Sequence, residues 1–241
     1  MTKLSENLQR VNNRVNKYLI KPNAKQIHDV RTSIRRLDAT FSTLPKKYRN
    51  ESPLSKYVLQ CKELFKINSE IRDFDIIYEK LQKYPSSSHR DSIIEALKKI
   101  RKVRLERAKT IAVPLKSTDI ATILDEIGVT EKELQKRYNK IVSRLICIIE
   151  STFPVVLSNP LALKELHDLR ITCKKLRYML ELLPDENKLA IQTRKSLQKI
   201  QDNLGFIHDS DFTISYLRSL PQSSKEIQEI IDKENDHRRL Q

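Results

Sequence analysis

The chain has 241 residues and carries 46 Lys and Arg against 31 Asp and Glu, a net charge of +15 at pH 7. That excess demands a polyanionic partner, whereas two glycines and 6 % aromatic residues leave a sheet protein without its turn residue and a base-stacking protein with few rings. No run approaches about 18 apolar residues, so no membrane span is expected, and the N-terminal MTKLSENLQR lacks an apolar signal region, which makes cytoplasmic residence the expectation.

Leu4 to Ile20 reads as a first helix, with Leu4, Leu8, Val11, Val15 and Leu19 on one face. Lys21-Pro22-Asn23 breaks it. Ile27 to Pro45, IHDVRTSIRRLDATFSTLP, is a second helix whose apolar side is Ile27, Val30, Ile34, Leu37, Phe41 and Leu44. Pro53 opens a long helical segment to about Tyr84. Pro85 to Ser88 forms a loop, and His89 to Val113 is the next helix. This is the densest basic run, with seven Lys or Arg between Lys98 and Lys109 against one acid, Glu106. Arg101 and Arg104 fall inside the arc of Leu97, Ile100, Ala108 and Ile111, and Arg107 lies at its edge. Lys98, Lys99, Lys102 and Lys109 fall outside. An enclosed arginine cannot shed its charge, so several of them imply water, carboxylates or a bound polyanion; the alternative is long stems that snorkel past the core.

Ser117 to Ile127 reads as a short helix before Gly128, and Thr130 with Glu133 is a capping box that starts a helix to about Phe153. Pro160 restarts the chain. Leu166 to Pro184 reads LHDLRITCKKLRYMLELLP. At about 100° per residue, Leu166, Leu169, Cys173, Leu176, Leu180 and Leu183 share one side. His167, Arg170, Lys174, Arg177 and Tyr178 fall on a neighbouring arc that touches it, so this basic stripe borders the core. Asp185 to Leu220 is the next helix, and a polar last helix follows from Ser223. Cys61, Cys147 and Cys173 form neither a C-x-x-C knuckle nor a disulfide framework and read as small buried residues.

The chain repeats itself. Ile27 to Pro45 aligns without a gap on Leu166 to Pro184: His28 on His167, Arg31 on Arg170, Arg35 and Arg36 on Lys174 and Lys175, Pro45 on Pro184. A second pair follows in the same order, IRDFDIIYEKL (Ile71 to Leu81) and IHDSDFTISYL (Ile207 to Leu217). Two motifs repeated in order mean two copies of one structural unit. The expected fold is therefore all-α, two antiparallel helical bundles from residues 1–116 and 117–241. Asp75 and Asp211 are the expected internal counterions, and Asp73 and Asp209 the expected exposed or capping acids.

These residues resemble the CHAD family, the conserved histidine α-helical domain: H-x-x-R-x-x-x-[RK]-[RK]-L twice, K-K-L-R-Y at Lys174 to Tyr178, and L-G-x-x-x-D-x-D from Leu204 to Asp211. The resemblance covers nearly the whole chain and implies two bundles related by a pseudo-two-fold, a basic central cavity or pore, and binding of inorganic polyphosphate. Ser69 stands where the second copy has Gly205, and Asp38 where it has Arg177, so the first half is the less typical copy. The expected ligand set is His28, Arg31, Arg35 and Arg36 from one stripe and His167, Arg170, Lys174, Lys175, Arg177 and Tyr178 from the other. Arg101, Arg104 and Arg107 are added from the long basic helix.

No cofactor, metal site or catalytic residue is expected. The dipeptides His28-Asp29, His167-Asp168 and His208-Asp209 suggest a metal-dependent phosphohydrolase, but neighbours on a helix point about 100° apart, and the adjoining Arg and Lys repel a cation. CHAD domains often accompany a triphosphate-tunnel catalytic domain with an E-x-E-x-K strand. The nearest string here, Glu131 to Gln135, lies on an expected helix and lacks the lysine. The +15 charge keeps nucleic acid open as the alternative ligand.

Overall fold

The computed structural model describes residues 2–125, 127–159, 161–184, 186–221 and 224–239. Among these the secondary structure is helical throughout: α1 Thr2–Ile20, α2 Ala24–Thr43, α3 Lys46–Arg49, α4 Pro53–Leu81, α5 Ser88–Lys116, α6 Ile120–Asp125, α7 Glu131–Ser158, α8 Leu163–Leu180, α9 Lys188–Arg218 and α10 Lys225–Arg239. The fold is thus all-α, as the composition implies. Side-chain caps start several of these helices. Asn23 accepts from the Gln26 amide at the head of α2, Ser52 caps α4 ahead of Pro53, and Thr130 and Glu133 form the expected capping box of α7. Pro114 and Pro154 lie inside α5 and α7, which run past their expected ends. The expected restarts at Pro160, Asp185 and Ser223 lie outside the described residues.

The apolar stripe of α2 is buried along its whole length, from Ile27 to Leu44. On α8, Leu166, Leu169, Cys173, Leu176 and Leu180 are buried, and Leu183 just beyond it is half-buried. Helices α1, α2, α4 and α5 close into a ring, each packed on two others. In the second half α7 packs on α8, α8 on α9 and α9 on α10, but α7 and α10 make no comparable contact. The halves meet through α2 on α8, α4 on α9, α2 on α7 and α5 on α10; the first two pairs carry the repeated motifs. A shared apolar cluster of Ile77, Leu81, Ile94, Leu97, Ile214, Leu217 and Ile230 ties the ends of α4, α5, α9 and α10 together.

Ile120, Ile123 and Ile127 pack into the core of α1, α2, α4 and α5, so the chain beyond residue 116 still contributes to that core. The apolar side chains of α6 prefer the nearer core to a solvated linker. Cys147, read as buried from its apolar run, is exposed, while Cys61 and Cys173 are buried. The reason is α7 itself, which packs through one side only. Its most apolar 18 residues, mean hydropathy 1.7, are 6 % buried, so by length and composition this helix is long and apolar enough to cross a membrane.

Candidate functional site

Four helices converge where the halves meet: α2 with α4, α8 with α9, α2 with α8, and α4 with α9. Spacings of three and four put His28, Arg31 and Arg35 on one face of α2 and His167, Arg170 and Lys174 on one face of α8. Because those faces border the core stripes, helix packing carries the cations inward. Arg31 and Arg35 lay their guanidinium groups over the Phe65 ring of α4, at 5.6 and 4.9 Å from its centroid. Arg31 is in electrostatic reach of Arg35, Asp73, Arg72 and Arg170, and Lys174 of Arg170, Arg35, Arg31 and Asp209. The cluster therefore draws on both copies of the repeat. Its members are Arg31, Arg35, Arg72 and Asp73 from the first half, and Arg170, Lys174, His208 and Asp209 from the second.

The balance is strongly positive. Burial and the neighbouring Arg35 bring the Arg31 guanidinium down to about 10. Burial, then Arg170, Arg35 and Arg31, bring the Lys174 ammonium down to about 7, and burial lowers Arg170 as well. Burial and Arg170 hold His208 at about 4, so it is neutral at pH 7. Its ring lies tilted against His167 with centroids 5.5 Å apart. Burial raises Asp73 and Asp209, against the pull of Arg31 and Arg170 respectively. The Nε atoms of Arg31 and Arg170, equivalent in the repeat, are both buried without a hydrogen-bond partner. A buried guanidinium N–H left unpaired is costly, and a ligand of oxygen acceptors satisfies it.

Other expected ligands sit elsewhere. Arg36 Nε donates to Glu181 at 2.6 Å, fastening α2 to the end of α8. Arg177 Nε donates to Gln201 at 3.1 Å, with its guanidinium over the Tyr178 ring. Tyr178 itself is 4 % exposed and belongs to the second core, because the basic arc turns inward at that position. His28, His167 and Lys175 are exposed. Arg101 Nε donates to Asp75 at 2.7 Å and Arg104 pairs with Glu70 over the Phe74 ring, so α4 carboxylates hold both, and Arg107 faces solvent. Asp75 and Asp211 are counterions as expected, Asp211 to Arg238. Asp73 and Asp209 are not exposed caps but half-buried acids inside the cluster. Arg72 is not among the expected ligands, and His208 enters the sequence reading only through the His208-Asp209 dipeptide; both occupy one place in I-R-D-F-D and I-H-D-S-D, the signal that points to them.

Arg31, Arg72, Arg170 and Lys174 repel a metal ion from the two aspartates, so the cluster suits an anion. The Ser69 hydroxyl is absorbed by the Phe65 carbonyl at 2.8 Å, and a Cβ at Gly205 would meet nothing within 4 Å, so this departure between copies leaves the packing undisturbed. A groove of about 1130 Å³ does exist, but it is lined largely by apolar side chains of α7, α8 and α9 and lies apart from the cluster.

The lowered Lys174 value has a consequence for the free protein. The fold disfavours the protonated amine, so the cost is full below about pH 7 and fades as pH rises towards the ordinary 10.5. Lys174→Met is expected to raise the melting temperature of the free protein, more at pH 6 than at pH 9, by about 2–4 °C per kcal/mol recovered. A variant that melts lower than the parent at pH 6 would contradict this.

A sequence model of the CHAD domain matches residues 3–218. No curated protein matches the chain. Among solved structures, the crystal structure of the CHAD domain from the plant Ricinus communis superposes with a TM-score of 0.68 at 15 % identity, over 99 % of this chain and 85 % of that one. At that identity the likeness speaks for the fold.

Proposed function

The chain belongs to the CHAD domain family, and from that premise we propose that it binds linear inorganic polyphosphate, without hydrolysing it, at the basic cluster between its halves. The observation that carries the reading is the pair of buried, unpartnered guanidinium Nε atoms of Arg31 and Arg170, one from each copy of the repeat. Each internal phosphate of a polyphosphate carries about one negative charge and oxygens that accept from arginine forks and lysine ammonium groups. The ligand has no bases, so a path of cations is sufficient to recognise it. Arg35 and Lys174 extend that path, Arg72 adjoins it with its guanidinium paired to Glu79, and Asp73 and Asp209 offset part of the charge on Arg31 and Arg170.

Binding of labelled long-chain polyphosphate, followed by anisotropy against single-stranded RNA at matched salt, tests the reading. Tight binding of polyphosphate at low salt, weakening steeply as salt rises, is expected, with RNA the weaker ligand. Chain length should stay unchanged after incubation with magnesium or manganese. No binding at low salt, or preference for RNA, would overturn the proposal, and metal-dependent phosphate release would make the protein an enzyme.

A further inference from the structure

We propose that the chain forms a two-fold dimer in which α7 of each copy lies in the apolar groove between α7 and α10 of the other. The groove has a structural origin. In the first half α5 packs on α1 and closes the ring, whereas α10, which follows α9 as α5 follows α4, makes no comparable contact with α7 among the described residues. The opening is about 1130 Å³, with Leu166, Leu169, Leu204 and Ile207 on its floor and Phe153 and Leu157 on its α7 wall. It has the apolar lining of a seat for a helix.

The molecule displays such a helix, and it is the groove's own wall. Ile146, Phe153 and Leu157 are seven and four residues apart and therefore share a face of α7, and all three are exposed. A ridge beside a groove on the same surface is self-complementary, the condition for an isologous two-fold contact. Charge favours the same occupant. Every copy carries +15, which repels a second copy almost everywhere, but from Leu145 to Ser158 the sole charged residue is Glu150. The groove rim carries Arg218 beside the ion pairs Arg238–Asp211 and Arg239–Asp236, so the Glu150 carboxylate meets the Arg218 cation when α7 enters.

The area sets the strength. The exposed parts of Ile146, Phe153, Leu157, Leu161 and Leu163 amount to on the order of 300 Å² of apolar surface at roughly 100 Å² per whole side chain. With interfaces about 60 % apolar, that is roughly 500 Å² per copy, below the ~800 Å² of a standard partner surface. The dimer is accordingly weak, micromolar rather than nanomolar.

Sedimentation from about 1 to 200 μM in about 0.5 M NaCl, which screens the repulsion between copies, reads the outcome. The mass should climb from 28.3 kDa towards twice that value, and amide exchange across 146–157 should slow with concentration. Leu157→Asp with Leu161→Asp changes two largely exposed side chains, 67 % and 76 % exposed; it should stay monomeric, with an unchanged melt and unchanged polyphosphate affinity. A parent that remains monomeric throughout, or a dimer that survives the double variant, would overturn the proposal. So would a monomer whose α7 partitions into uncharged phosphatidylcholine vesicles, which would make this a membrane face.

Discussion

Replacing Arg31, Arg170 and Lys174 together with alanine is expected to lower polyphosphate affinity by at least about a hundredfold, since hydrogen bonds to charged groups contribute roughly 1.5–3 kcal/mol each. Replacing Lys98, Lys99 and Lys102 is expected to cost about tenfold or less. Those three face solvent on α5, where salt screens a flexible ammonium. The inner three are half-buried, and two of them leave Nε without a partner, so their contacts with phosphate form where water competes poorly. The comparison separates an organised site from a generally basic surface when made at pH 6, where Lys174 is protonated and the net-charge change is nearly equal. Melts of both triples must accompany the titrations. Removing Arg31 and Arg170 strips Asp73 and Asp209 of the cations that oppose their burial, so the inner triple is best measured at a temperature where both are folded. Equal losses of affinity in two folded triples would leave only a sticky surface.

What the sequence disclosed depended on how each helix is packed. Helices α2 and α8 each bury a stripe and leave an opposite face to water, so their periodicity placed Ile27 to Leu44 and Leu166 to Leu180 correctly. It also showed that Arg31, Arg35, Arg170 and Lys174 border the core. Helices α4 and α9 lie between neighbours on several sides, so apolar residues occur around much of their circumference and no single face stands out. That is why periodicity suggests caps for Asp73 and Asp209 and gives no inward face for Arg72 and His208. Arg101 and Arg104 were placed facing inward and do so, but periodicity within α5 does not say that Asp75 and Glu70 on α4 wait to receive them. Tyr178 lay at the edge of the basic arc, where a turn of some tens of degrees decides between ligand and core. Cys147 failed for another reason. An apolar run implies something to bury it, and among the described residues α7 packs through one side only, which leaves Cys147 exposed.

Binding of polyphosphate at pH 8 is expected to take up close to one proton, and Lys174 is its receiver. In the free protein, burial and the three nearby arginines bring this amine to about 7 from an ordinary 10.5, so at pH 8 most molecules hold it neutral. Phosphate oxygens beside it reverse the sign of its surroundings and favour the protonated form. Between about 7 and 10.5 the complex then carries a proton that the free protein lacks. By linkage, affinity falls as pH rises through that window, by up to about tenfold per pH unit. Below about 7 both forms are protonated and this group contributes no pH dependence. His208, at about 4, stays neutral across the window, and Arg31, at about 10, stays charged until well above pH 8, so neither mimics the effect. Calorimetry in two buffers with different ionisation heats counts the protons directly. Lys174→Arg keeps a permanent charge at the position; it should retain binding, lose the uptake, and show nearly flat affinity from pH 7 to 9. Parent protein that binds at pH 8 with the same heat in both buffers would show that Lys174 does not meet the phosphate chain.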